Sequence, residues 1–127
     1  MGTLISDLGL SIGIEGYLNQ VLKGKVYNCM IYTDYKLERI NPKFAQFHIC
    51  FQGVKKKELN ETIDLIYNSL HLNKNNRSNR YEVDDLLHGC YLVDIKHISI
   101  KQIIKIYTLT KMAGTYGGDD YMIKWEI

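Results

Sequence analysis

Leu59, Ile63, Ile66, Tyr67 and Leu70 fall at i, i+4, i+7, i+8 and i+11, a spacing that predicts a helix with one apolar face. On both sides of it the period drops to two. Phe47, Ile49 and Phe51 alternate with His48, Cys50 and Gln52, and Tyr121, Ile123, Trp125 and Ile127 alternate with Met122, Lys124 and Glu126. Each run predicts a half-buried strand. A chain that must bury a helical stripe and strand faces together is expected to fold as α+β. Its 127 residues fit one domain, spanning 1–127, and contain one proline, Pro42, so the elements can run almost unbroken.

The remaining elements follow from the same reasoning. From Leu4 to Leu18, Leu4, Ile5, Leu8, Ile12 and Glu15 recur at helical steps, while Gly9 and Gly13 lie one turn apart on another side. Each glycine costs about 1 kcal/mol against alanine in a helix, so a close neighbour is expected there, most simply a symmetric partner. Strands are predicted over Val26–Thr33 and Phe44–Gln52, joined across the polar connection Asp34–Lys43 as a long hairpin. His71–Arg80, rich in asparagine and basic, predicts a mobile exposed loop. Cys90–Ile98 reads as a strand paired with a short one at Tyr81–Val83. Ser99 and Gln102 form a capping-box pattern that opens a helix carrying Ile100, Ile103, Ile104 and Tyr107 on one face and stopping near Gly114. The order αββαββαβ implies a mainly antiparallel sheet with its helices packed on one face. Its expected core includes Leu59, Ile63, Ile66, Ile103, Ile104 and Trp125.

No stretch reaches the ~20 apolar residues that a bilayer requires, and no secretory leader pattern opens the chain, so a cytoplasmic protein without a membrane partner is expected. Cys29, Cys50 and Cys90 lie inside apolar, strand-like segments without CxxC spacing, which favours buried thiols over zinc ligands. A net charge of +2 is too small to dictate a polyanionic partner. Its distribution is uneven, however. Acidic residues gather at Asp84, Asp85, Asp119 and Asp120, whereas Lys36, Arg39, Lys43, Lys74, Arg77 and Arg80 fall in connections suited to following phosphates.

Three patterns carry possible chemistry. The run Leu8-Gly9-Leu10-Ser11-Ile12-Gly13-Ile14-Glu15-Gly16-Tyr17-Leu18 resembles a diverged LAGLIDADG helix, the signature of a family of homing endonucleases. The family's order of helix, two strands, helix, two strands, helix is similar to the order read above as far as Ala113. The resemblance implies that small residues such as Gly9 and Gly13 let two such helices pack closely, and that Glu15, before Gly16, holds Mg²⁺ for phosphodiester hydrolysis. Gln46-Phe47-His48, followed by Tyr107 and Lys111, resembles the rolling-circle replication initiators, which implies a metal at His48 and Tyr107 as nucleophile. Gln46 stands where that family has its first histidine, and glutamine is the poorer metal ligand. The pair His48-Ile49-Cys50 and His97-Ile98-Ser99 is loosely like the His-x-Ser/Thr elements of two-histidine phosphoesterases, although Ser99 already serves as a helix cap.

Two readings stay open on sequence alone. One is a nucleic-acid-binding protein of a mobile element or virus, acting on double-stranded DNA as a homodimer and, if it cuts, with Mg²⁺. The other is a small non-enzymatic inhibitor or adaptor that binds a host protein, such as a host-defence component, with exposed tyrosines as anchors.

Overall fold

The structure, a computed structural model, describes residues 4–23, 30–32, 38–41, 44–84, 90–118 and 124–126. In chain order these form strand β1 (Leu4–Ser6), helix α1 (Asp7–Leu22), strands β2 (Met30–Tyr32), β3 (Glu38–Asn41) and β4 (Phe44–Gln52), and helix α2 (Leu59–Ser69). Strands β5 (Arg77–Asp84) and β6 (Cys90–Ser99), helix α3 (Ile100–Met112) and strand β7 (Lys124–Glu126) follow. The fold is α+β. An antiparallel sheet runs β2-β4-β6-β5, with β3 pairing β4 at Phe44–Gln46 and β2 pairing it at Cys50–Gln52. A second, small sheet pairs β1 with β7, setting Ile5 opposite Trp125.

One core lies between the main sheet and the helices. Strand β4 turns Ala45, Phe47, Ile49 and Phe51 inward, and β6 adds Tyr91, Val93, Ile95 and Ile98. Leu10, Ile14, Leu18 and Leu22 of α1, Leu59, Ile63 and Ile66 of α2, and Ile103 and Ile106 of α3 close over this face. Burying each such side chain contributes about 1.5–3 kcal/mol. The intervening residues of β4 and β6, including Gln46, His48, Asp94 and Lys96, are half-buried on the opposite face of the sheet.

Several expectations are corrected. The first helix begins at Asp7, not Leu4, because Ser6 caps it by accepting from Gly9 N–H at 3.1 Å, and Leu4–Ser6 pair with β7 instead. Its buried stripe is Leu10, Ile14, Leu18 and Leu22, so Ile12 is left 46% exposed. Helix α3 buries Ile103, Ile106 and Thr110, which turns Ile104 outward to 41% exposure. Residues 71–80, read as a mobile loop, instead form a helix-ending turn, a 3-10 turn over Lys74–Asn76 and the start of β5. Strand β3 lies within the segment expected to be a polar connection. Tyr121, Cys29, Asp85, Asp119 and Asp120 fall outside the described residues, as do the side chains of Trp125 and Cys90. Cys50 is a buried thiol outside any disulfide.

Candidate functional site

Helix α2 ends in a Schellman motif. Leu72 N–H donates to Tyr67 C=O at 2.9 Å and His71 N–H to Asn68 C=O at 3.2 Å, which forces residue 71 into the left-handed region. Helix α3 closes by the same two bonds, from Thr115 to Thr110 and from Gly114 to Lys111, and there the left-handed position is held by Gly114 at φ 73°. In α2 it is held by His71 at φ 54°. A second non-glycine residue in this region is His97, at φ 56°. Its cause is a bulge in β6: Ala45 pairs Ile98 and Phe47 pairs Ile95, so Gln46 alone faces both Lys96 and His97. The extra residue keeps Ile95 and Ile98 both on the core side and turns His97 out. Two positions where glycine is the low-energy choice thus carry histidine.

Both histidines line one cleft of about 660 Å³, together with Phe44, Asn73, Asn75, Asn76, Ser99, Lys101, Gln102 and Lys105. No carboxylate lies among these lining residues, while Lys101, Lys105, His71, His97, Asn73 and Asn75 are all exposed. The wall is fixed from below by Asn76, which is 1% exposed. Its amide nitrogen donates to the carbonyls of Lys96 and His97 at 3.0 and 3.1 Å, and its oxygen accepts from Gln102 Nε2 at 2.7 Å and Asn73 N–H at 3.0 Å. Gln102 in turn accepts from Ser99 N–H at 3.0 Å, completing the capping box foreseen from the sequence. This network ties the bulge, the 71–76 turn and the start of α3 into one unit. It also uses Ser99 as a cap on Gln102 N–H, so the cationic character of the cleft comes from its side chains rather than from the helix end.

The predicted site residues are dispersed. Of the six basic positions, Lys36 and Lys43 lie outside the described residues, and Arg39 and Arg80 are placed only as members of β3 and β5. Lys74 is exposed on the 3-10 turn. Arg77 pairs with Asp64 at 2.5 Å and lies 4.9 Å over the Tyr67 ring, so its charge is engaged within the chain. His48 points to the open face of the sheet and pairs through Nδ1 with Asp94 directly across on β6. Tyr107 packs against the core on the helical side, its ring 5.0 Å from that of Tyr116, with the Lys111 ammonium 5.6 Å above it. The sheet therefore separates His48 from Tyr107, and the replication-initiator arrangement is not assembled. His48 and His97 are also apart: His97 packs against Phe44, four residues or roughly 13 Å along β4 from His48.

The glycine face of α1 is occupied by the same chain. A Cβ on Gly9 would meet Gly118 O at 2.3 Å, one on Gly13 would meet Thr110 Cβ at 2.9 Å, and one on Gly16 would meet Thr115 Cβ at 3.0 Å. Gly117 N–H donates to Gly9 C=O at 2.9 Å, Thr115 Oγ1 to Gly13 C=O at 2.8 Å, and Ser6 N–H to Tyr116 Oη at 2.9 Å. The close neighbour expected at Gly9 and Gly13 is thus the end of α3 and residues 115–118, not a second copy. Glu15 is half-buried and α1 runs on for about two further turns to Leu22. Among the described residues no group of three or more His, Cys, Asp or Glu could hold a metal ion.

Sequence reasoning missed the cleft because its parts are spread from residue 44 to residue 105 and no single motif joins them. The available signals were local: a helix period ending at Leu70 with no glycine after it, and Asn73 followed three residues later by Asn76. Among the described residues no helix is long and apolar enough to cross a membrane. Compared with known proteins, the chain matches no protein-family model, no curated protein and no solved structure.

Proposed function

We propose that this chain is a nucleic-acid-binding protein that grips phosphate in the cleft between residues 71–76, the β6 bulge and the start of α3. The observation that carries this reading is the pair of left-handed histidines. A non-glycine residue in that conformation costs on the order of 1–2 kcal/mol, and strain of this kind concentrates at binding sites. Here both strained residues line the same carboxylate-free cleft as two exposed lysines. Lysine ammonium, imidazole N–H and asparagine amide groups are all hydrogen-bond donors suited to phosphate oxygens.

The test is the salt dependence of oligonucleotide binding to the wild-type chain and to a Lys101→Ala/Lys105→Ala double variant. Loss of the one phosphate held there lowers the slope of log K against log salt by about 0.7 on a single strand or about 0.9 on a duplex. An unchanged slope would refute the placement of phosphate in this cleft.

A further inference from the structure

Phe44 opens β4 on the sheet face opposite the core, as shown by its alternation with buried Ala45. It is 38% exposed and lines the same cleft as the two lysines. Its ring stands 6.1 Å from that of His97 at 88°, so the bulge that turns His97 outward also sets an aromatic pair at the cleft wall. A large apolar side chain at the edge of a cationic cleft is costly to leave in water, and an aromatic plane beside a phosphate-binding group is the arrangement on which an unpaired base stacks. In a duplex the bases are stacked on one another and only the backbone could reach the cleft. Phe44 would then contribute nothing to binding.

From this we infer that the cleft takes single-stranded rather than duplex nucleic acid: Lys101, Lys105, His71 and His97 hold one phosphate while the adjoining base stacks on Phe44. The inference rests on the nucleic-acid reading above and replaces the double-stranded DNA expected from sequence with a single strand. A volume of about 660 Å³ is of the size that accommodates a small organic ligand, sufficient for a single nucleotide unit. Further along β4 the open face presents the His48–Asp94 pair in place of an exposed aromatic ring.

The experiment uses the full chain and two fluorescein-labelled probes, a mixed-sequence DNA 12-mer and the duplex it forms with its complement, read by anisotropy at fixed salt. The single strand is expected to bind more tightly than the duplex. Phe44→Ala weakens the single strand by roughly 5- to 140-fold, the range that loss of one base–aromatic stack produces, and leaves duplex binding unchanged. Phe44→Tyr keeps the wild-type preference. Phe44→Leu separates stacking from packing, since it retains an apolar side chain without a π face and is expected to lose single-strand affinity while unfolding at the wild-type urea midpoint. If Phe44→Leu binds the single strand as the wild type does, or if single strand and duplex bind equally in the wild type, the inference is overturned and the phosphate cleft stands without it. If neither probe binds the wild type, the nucleic-acid reading itself fails.

Discussion

Replacing Gly9 with alanine sets two opposed effects against each other. In an isolated helix the change stabilises by about 1 kcal/mol. In this structure the added Cβ would lie 2.3 Å from the backbone oxygen of Gly118 and 3.0 Å from the Tyr116 ring. Neither neighbour can swing aside, because residues 116–118 are tied to α1 through Gly117 N–H to Gly9 C=O and Ser6 N–H to Tyr116 Oη. Overpacking costs about 1–3 kcal/mol and the displaced hydrogen bond about 0.5–1.5 more. The net expectation is a loss of roughly 1–3 kcal/mol. Gly13→Ala meets the Thr110 side chain at 2.9 Å and should lose less, about 0–1 kcal/mol. Gly16→Ala faces the half-buried Thr115 side chain at 3.0 Å and should come closest to neutral. Urea unfolding with a shared m value resolves the order Gly9, Gly13, Gly16. A Gly9→Ala variant that gains about 1 kcal/mol would refute the packing of residues 115–118 on this face and return it to a partner helix.

Further substitutions probe the core and the cleft. Ile66→Ala, at a site 0% exposed, should destabilise by about 2–5 kcal/mol in urea unfolding, and Ile63→Ala, at 8% exposure, by an amount nearer the lower bound. Asn76→Ala strips the bonds that join Lys96, His97, Asn73 and Gln102, and should cost about 3 kcal/mol while raising amide exchange at residues 73–76. His71→Gly should raise stability by about 0.5–1 kcal/mol, because glycine relieves the left-handed backbone. It should also weaken oligonucleotide binding, and a variant that gains stability with no loss of binding would count against a functional role for this side chain.

Elements whose period reports their own burial were legible in the sequence. The stripe Leu59, Ile63, Ile66 and Tyr67, the alternation of Phe44–Gln52 and the capping box at Ser99 all reappear in the structure at the expected residues. Elements whose surroundings lie far away in sequence were not. Ile12 and Ile104 have helical spacing with apolar neighbours, yet what decides their exposure is the packing of residues 115–118 on α1 and the half-turn that brings Ile106 rather than Ile104 inward. The asparagine run at 73–76 was read as solvated because asparagine is usually polar surface. Asn76 is buried because the bulge at Lys96 and His97 leaves two carbonyls that need donors. The bulge shows in β6 only as a shifted alternation, with Tyr91, Val93 and Ile95 followed by Ile98, and the reading of this segment as one plain strand passed over it.

The claim that phosphate is held in the cleft is tested most directly by titrating ¹⁵N-labelled protein with the single-stranded 12-mer and following amide shifts. The largest changes are expected at Phe44, at residues 71–76 and at residues 97–105, and they vanish in the Lys101→Ala/Lys105→Ala variant. Shifts that fall instead on Ile104, Thr108 and Met112 alone, along the outer side of α3, or on the basic run at residues 55–57, would contradict it.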